Sequence, residues 1–275
     1  MTDTTAPAAP LAALKAAQAL AWGAAPYEPI AATMADIHDG LVGALGPRPG
    51  EAWLDVATGT GPVARRAARA GARVTALDLA APLLETARQL AAAESLAIRF
   101  EPGDCERLPY PDASFDVVAS ALGAIFATDH AAAAAELARV CRPGGRLGLA
   151  CWEPGGGAAR LTGVAARFQP GPRPPEAGDP LDWGRPDYVE HRLGGAFTLE
   201  CRRGVSWEAA PSPEAVWQRY VEASGPLKLL AAALPPGRRD GLRQAFLDVL
   251  APHRDGDGVR FPREYLLVLG TRRRG

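Results

Sequence analysis

Residues 52–64 read AWLDVATGTGPVA, and this segment indicates the fold class of the whole chain. Ala52 to Val56 is a short apolar run interrupted only by Asp55, as expected of a buried strand. The glycines that follow allow the backbone to turn tightly and to approach a ligand closely. A helical pattern then begins at Pro62. Strand, glycine turn and helix in this order are typical of the first unit of a doubly wound α/β sheet.

Strand and helix patterns continue to alternate after this segment. Further strands are predicted at 73–77, 98–101, 117–120, 146–151, 197–207 and 265–269. Helices are predicted at 11–22, 30–45, from 62 onward, and at 82–94, 130–140, 186–193, 214–223 and 236–250. Such alternation predicts a parallel sheet with helices on both faces. Residues 153–185 are rich in glycine and proline and are predicted to form a long connection.

Composition argues against several classes of protein. The chain has 275 residues and a net charge of −1, so no strong field attracts it to nucleic acid or to a membrane surface. No apolar run reaches the roughly 20 residues of a membrane helix, and the N-terminus lacks the pattern of a signal peptide. The four cysteines include no C-x-x-C pair, which disfavours zinc and favours reduced thiols. We expect a cytoplasmic protein with a small-molecule substrate, no nucleic-acid or membrane partner, and a homodimer as an open option.

Four segments together carry a family resemblance. They are LDVATGTG at 54–61, ALDLA at 76–80, GDCERLPYPDASFDVV at 103–118 and ELARVCRPGGRLGLACW at 136–152. In this order the chain resembles class I S-adenosylmethionine-dependent methyltransferases, especially the ubiquinone/menaquinone biosynthesis branch. The resemblance implies an α/β, doubly wound, Rossmann-like sheet of seven strands in the order 3-2-1-4-5-7-6, with the last strand antiparallel.

The resemblance also implies a domain organisation. Residues 1–45 would form an N-terminal helical cap, and residues 46–275 the methyltransferase domain. Within that domain, residues 208–257 would form a helical lid inserted between the sixth and seventh strands. The walls of the acceptor pocket are expected from 11–45, 153–185 and 208–257.

The family motifs assign S-adenosylmethionine contacts to particular positions. Asp55 would attract the ammonium group of the methionine portion, Asp78 would bind the ribose hydroxyls, and Asp104 would accept from the adenine amino group. The full predicted set of cofactor-binding residues is Asp55, Ala57, Thr58, Gly59, Thr60, Gly61, Asp78, Leu79, Gly103, Asp104, Cys105, Ser120 and Tyr27. Ala57 stands where the family usually has the first motif glycine.

No residue identifies itself as a general base from the sequence alone. The candidates are the four histidines, His38, His130, His191 and His253. His130 follows the loop after the predicted fourth strand, where an acceptor could enter, so it is the first to test. No metal is predicted, because the relevant carboxylates are already assigned to the cofactor.

Two other enzyme classes and one binding class remain open. Gly59, Gly61 and Ala64 also fit G-x-G-x-x-A, with Asp78 about 20 residues further on, as in NAD(P)-dependent oxidoreductases. Against that class, Asp55 would repel a pyrophosphate and Asp104 would have no role. The other two are a methyltransferase fold with non-methylating chemistry and a binding protein with an inactive pocket. The favoured prediction is methyl transfer from S-adenosylmethionine to a small molecule, either a secondary metabolite or a quinone-like compound.

Overall fold

The predicted alternation of strands and helices is present in the computed structural model, which describes residues 9–171, 173–256 and 258–274. The strands are β1 (Ala52–Val56), β2 (Arg73–Asp78), β3 (Ile98–Pro102), β4 (Phe115–Ala121), β5 (Cys141–Trp152), β6 (Phe197–Ala210), β7 (Arg254–Asp255) and β8 (Gly258–Arg272). The helices are α1 (Ala9–Trp22), α2 (Glu28–Ala31), α3 (Ala35–Leu45), α4 (Pro62–Arg69), α5 (Ala81–Ala93), α6 (His130–Val140), α7 (Gly157–Ala166), α8 (Pro186–Leu193), α9 (Pro213–Ala223), α10 (Gly225–Ala233) and α11 (Pro236–Leu250). Residues 1–8 of the predicted cap lie outside the described residues.

The strands form one mixed sheet in the order β3-β2-β1-β4-β5-β8-β6. The five strands from β3 to β5 are parallel, whereas β8 is antiparallel to both β5 and β6. The two-residue β7 pairs only with β8. With β7 set aside, β8 is the predicted seventh strand, and the predicted order 3-2-1-4-5-7-6 is confirmed.

Strand β1 lies in the middle of the sheet and is buried on both faces. Trp53 packs with Val63 and Ala64 of α4 on one face. Leu54 and Val56 belong to the core on the other face, as the two-residue periodicity of a strand requires. The apolar sequence of β1 is thus explained by helices covering both sides, and its carboxyl end is fixed at a crevice of the sheet.

The segment 153–185, predicted to be a connection, contains the helix α7. This helix forms because Leu161 and Val164 are buried in a separate apolar cluster with α9, α10, α11 and the start of β8. Its own sequence, GAARLTGVAA, has glycine at two of its ten positions, which lowers the helix propensity of an otherwise favourable segment. The sequence pattern likewise predicts no element at α10, where Leu227 and Leu230 are buried in the same cluster. Tertiary packing therefore stabilises both helices.

The predicted helix 30–45 is interrupted at Thr33. The structure has α2, then a 3-10 turn at Ala32–Met34, and then α3. The backbone carbonyl of Thr33 accepts a hydrogen bond of 2.5 Å from Nη2 of Arg263 on β8. Because this carbonyl bonds a side chain, it is displaced from the regular hydrogen bonding between helical turns, which accounts for the break in the helix.

Candidate functional site

An open cleft lies at the carboxyl ends of the parallel strands, and its empty space together with the open solvent at its mouth amounts to about 910 Å³. Ligands bind at this edge of open α/β sheets, where the strand order reverses. Ten of the predicted cofactor-binding residues line the cleft, namely Tyr27, Ala57, Thr58, Gly59, Thr60, Asp78, Leu79, Gly103, Asp104 and Cys105. Asp55, Gly61 and Ser120 are not part of its wall.

The turn after β1 is shaped by residues with positive φ. Ala57, Gly59 and Gly61 have φ values of 53°, 57° and 80°. A side chain added at Gly59 would meet no other atom within 4 Å, so the backbone there faces open space in the cleft. Ala57 adopts the left-handed conformation although it carries a Cβ, at a cost of about 1–2 kcal/mol. The turn is thus built to let a ligand approach the backbone closely.

Gly123, which the sequence analysis did not single out, supports the same turn. A Cβ at Gly123 would lie 2.4 Å from the carbonyl oxygen of Ala57. Only glycine allows the loop after β4 to pack directly on the turn after β1. The family motifs give no signal for this position.

The Asp55 carboxylate is directed into the turn and does not form part of the cleft wall. It is 1% exposed. Its Oδ2 accepts hydrogen bonds from Oγ1 of Thr58 at 2.5 Å and from the amide of Ala64 at 3.0 Å. Burial raises the pKa of Asp55 to about 7. The residue therefore connects β1, the glycine turn and α4, and its predicted contact with an ammonium group stays a prediction.

Replacing Asp55 with asparagine should change how the stability of the fold depends on pH. The folded pKa lies above the unfolded value of 3.8, so the folded chain holds an extra proton between about pH 4 and pH 7. This stabilisation is complete below pH 4 and is lost as the pH rises through 7. Asparagine cannot ionise. The unfolding free energy of Asp55→Asn minus that of the wild type should therefore rise by about 2–4 kcal/mol between pH 4 and pH 8.

Urea denaturation at several pH values measures this difference. Asp112→Asn is the matched control, because Asp112 is 79% exposed in its side chain. A pH-independent difference between Asp55→Asn and the wild type would show that folding does not raise the pKa of Asp55.

Asp78 ends β2 and holds the glycine turn against it. Its Oδ2 accepts from the amide of Gly59 at 2.7 Å, and its Oδ1 accepts from the amide of Ala80 at 2.8 Å. The amide of Thr58 also donates to the carbonyl of Leu77 at 3.0 Å. Burial raises the pKa of Asp78, and backbone hydrogen bonds counteract that rise. Asp78 thus presents a carboxylate to the cleft beside the Gly59 backbone.

Asp104 lines the cleft beyond β3 and is paired with a lysine of α1. Its Oδ2 is 2.6 Å from Nζ of Lys15, which also pairs with Glu106. Burial lowers the pKa of Lys15, but the hydrogen bonds to Asp104 and Glu106 raise it overall. No motif in the sequence indicated Lys15. An adenine amino group that donates to Asp104 would have to use this carboxylate together with Lys15.

The cap residues cover the cleft with aromatic rings. Trp22 makes edge-to-face contacts with Tyr27 and Phe126, with ring centroids 5.6 and 5.0 Å apart. Nε2 of Gln18 donates to the carbonyl of Phe126 at 3.1 Å. Burial raises the pKa of Tyr27 to about 12, so its hydroxyl is neutral. The helix α1 is thereby held over the carboxyl ends of the strands.

His130, the first candidate base to test, is buried away from the wall of this cleft, and its role as a base stays a prediction. His130 is the first residue of α6, which is capped by Asp129. It is 3% exposed, its Nδ1 lies 2.8 Å from the hydroxyl of Tyr188, and its ring packs on Trp183. It is not part of the cleft wall. The histidine that lines the cleft is His38 of α3, whose pKa is lowered to about 3, first by burial and then by Arg66.

The predicted lid does not contact the cleft directly. Among the described residues, none from 153–185 or 208–257 belongs to the cleft wall. The insertion instead supports the cap: Nζ of Lys228 on α10 donates to the carbonyl of Ala24 at 3.3 Å. The walls contributed by the cap come from residues between Lys15 and His38.

Within the described ranges, no three histidine, cysteine, aspartate or glutamate side chains are grouped so that they could hold a metal ion. None of the described helices combines the length and the apolar character needed to cross a bilayer.

Comparisons with known proteins agree with this geometry. A family model described as "Methyltransferase domain" matches residues 54–149. The uncharacterized protein Rv1405c of Mycobacterium tuberculosis is 40% identical over 176 residues, a match that spans 62% of this chain and 63% of that protein. The demethylmenaquinone methyltransferase of Deinococcus radiodurans is 49% identical over 98 residues, which is 35% of this chain and 41% of that enzyme.

A solved structure shares the fold. The YcgJ protein of Bacillus subtilis aligns with 87% of this chain and 100% of its own length, with a TM-score of 0.60 and 18% identity. The sheet order, the glycine turn with Asp78 at the next strand end, and the domain match agree with one another. Residues 54–149 therefore match a methyltransferase domain, and the sheet around them has the class I methyltransferase fold.

Proposed function

We propose that this chain binds S-adenosylmethionine in the cleft and transfers its methyl group to a small molecule. The main support for the proposal is the wall of the cleft. It contains the backbone of Gly59, which has free space beside it, and the carboxylates of Asp78 and Asp104. Adenosine offers hydroxyl and amino donors to such carboxylates. A diphosphate would instead be repelled by them, which argues against a dinucleotide cofactor.

The residues present fit the proposed donor. The Gly59 position leaves room for a ligand beside the backbone, and the aromatic rings of Trp22, Tyr27 and Phe126 surround the same cleft. Such rings attract a sulfonium through cation–π interaction. Bound S-adenosylmethionine supplies an already electrophilic methyl group, so this chain contributes binding, alignment and exclusion of water.

The helical insertion supports the proposal indirectly. Residues 208–257 remain a proposed lid that acts through the cap, because α10 contacts α1 at Ala21 and the turn after α1 at Ala24. Movement of this insertion would carry α1, and with it Lys15 and Trp22, away from the cleft.

Equilibrium binding to the purified chain tests the proposal. Isothermal titration with S-adenosylhomocysteine should give saturable one-to-one binding, and NADH should give none at the same concentrations. Tighter binding of NADH would favour the oxidoreductase class. Absence of binding by either ligand would favour a protein with an inactive pocket. Release of S-adenosylhomocysteine during turnover separates methyl transfer from non-methylating chemistry.

A further inference from the structure

The two edges of the sheet differ in how well they are protected against pairing with a further strand. The edge strand β3 has five residues and ends in Pro102. The other edge strand, β6, has fourteen residues and contains no proline. Short edge strands and prolines prevent further pairing, whereas a long regular edge allows it. β6 is therefore the edge of this sheet to which another strand can be added.

Alternate residues of β6 direct their backbone hydrogen-bonding groups away from the sheet. The register with β8 is continuous from Phe197 to Ala210, and next to it the amide of Arg273 donates to the carbonyl of Ala196 at 2.9 Å. In an antiparallel pair every second residue bonds to the neighbouring strand, so the even-numbered residues of β6 bond to β8. The odd-numbered residues face outward, and within the described residues their amides and carbonyls have no backbone partner. They are Phe197, Leu199, Cys201, Arg203, Val205, Trp207 and Ala209.

The charges on this free edge are complementary to those of a second copy of the same strand. Glu200 and Arg202 lie on one face of β6, with side chains 59% and 54% exposed and paired at 2.6 Å. A two-fold axis at Cys201 places Glu200 opposite Arg202 of the second copy, and Arg202 opposite Glu200 of the second copy. Each carboxylate then lies between two guanidinium groups. An axis at Glu200 or at Arg202 would instead place two like charges opposite each other, which is unfavourable.

We propose that two copies of this chain pair in antiparallel fashion through β6, about a two-fold axis at Cys201. The outward-facing residues exchange backbone hydrogen bonds, so that one sheet runs through both copies. Val205, which is 46% exposed, lies opposite Phe197 of the second copy in this register and is covered by it. The charge pairs fix the register, and the two-fold axis closes the assembly at two copies. The interface does not depend on the proposed methyl transfer.

Charge reversal tests the interface. Sedimentation velocity over a series of protein concentrations should show a monomer–dimer equilibrium for the wild type. Arg202→Glu places four carboxylates side by side across the axis and should weaken dimerisation about tenfold or more. The double variant Glu200→Arg, Arg202→Glu exchanges the charges and should restore the dimer. Reversal is used because the loss of a single exposed ion pair has only a small effect.

Cross-linking tests the register. In the proposed dimer the two Cys201 residues form a hydrogen-bonded pair with Cα atoms about 5.5 Å apart, within reach of the short reagent bismaleimidoethane. The wild type should give a covalent dimer on a denaturing gel, and Cys201→Ser should give none. Cys201 is exposed, whereas Cys141 and Cys151 are buried and do not compete for the reagent.

Arg99→Glu on the opposite edge strand β3 is the matched control. Arg99 is 71% exposed in its side chain and also pairs with a glutamate two residues away, Glu101. This variant should dimerise like the wild type, and thermal melting verifies that all variants fold. A wild type that stays monomeric at submillimolar concentration would overturn the proposal. A dimer that persists in Arg202→Glu, is not restored by the double variant, or is not cross-linked through Cys201 would also overturn it.

Discussion

Replacing Glu208 with alanine is expected to lower the free energy of unfolding by about 3–5 kcal/mol. Glu208 and Arg263 are both 0% exposed, and Oε2 of Glu208 lies 2.7 Å from Nη1 of Arg263. Arg219 also pairs with Glu208. Removal of the carboxylate leaves the Arg263 charge buried without a counterion. Urea denaturation at neutral pH measures the loss.

Glu200→Ala provides the control on the same strand. Glu200 pairs with Arg202 at the surface, where the two side chains are 59% and 54% exposed. Exposed pairs contribute about 0–1 kcal/mol, so this variant should remain close to the wild type. Equal losses in both variants would contradict the buried-charge explanation. The double variant Glu208→Gln, Arg263→Met should recover part of the stability, because no uncompensated charge remains at Arg263.

Replacing Asp78 with alanine is expected to weaken binding of S-adenosylhomocysteine about 100-fold or more, since charge-assisted hydrogen bonds are lost. The carboxylate lines the cleft and also holds the amide of Gly59. The variant therefore loses a ligand contact and the support of the glycine turn together. Isothermal titration measures the affinity, and thermal melting reports any change in the fold.

Asp112→Ala is the control for this experiment. Asp112 is an exposed aspartate whose partner is Arg139 at 2.8 Å, and it lies outside the cleft wall. Its replacement should leave the affinity for S-adenosylhomocysteine unchanged. An Asp78→Ala affinity within threefold of the wild type would show that the ligand binds elsewhere.

The strands and most helices could be predicted from the sequence, because each is indicated by residues within or next to the element itself. The apolar run of β1 ends at glycines, and the start of α9 is set by Ser212, whose hydroxyl accepts from the amide of Ala215 at 3.2 Å. Helices α7 and α10 were not predicted, because burial against distant helices stabilises them. No pattern in the sequence of either helix indicates this burial against distant helices.

The site was predicted where motifs carry it and missed where only packing does. The positions around Gly59 and Asp78 follow from the glycine turn and the strand end, and the cleft contains them. Lys15 and Gly123, which were not predicted, reach the cleft from elements without a motif. His38 was one of four candidate histidines, and no motif distinguished it from the others. His130 lies outside the cleft wall, because proximity in sequence to the β4 loop does not specify which side of α6 a residue occupies; it contacts Tyr188 there.

The hydrogen bond from Arg263 to the Thr33 carbonyl has an evolutionary consequence. It fixes the bend between α2 and α3, and therefore the relative positions of Tyr27 and His38. Substitutions that accumulate on β6 or β8 and weaken the anchoring of Arg263 by Ser206 and Glu208 would therefore move Tyr27 and His38 without changing any residue of the cleft wall. The shape of the cleft is thus set in part by strands that do not line it.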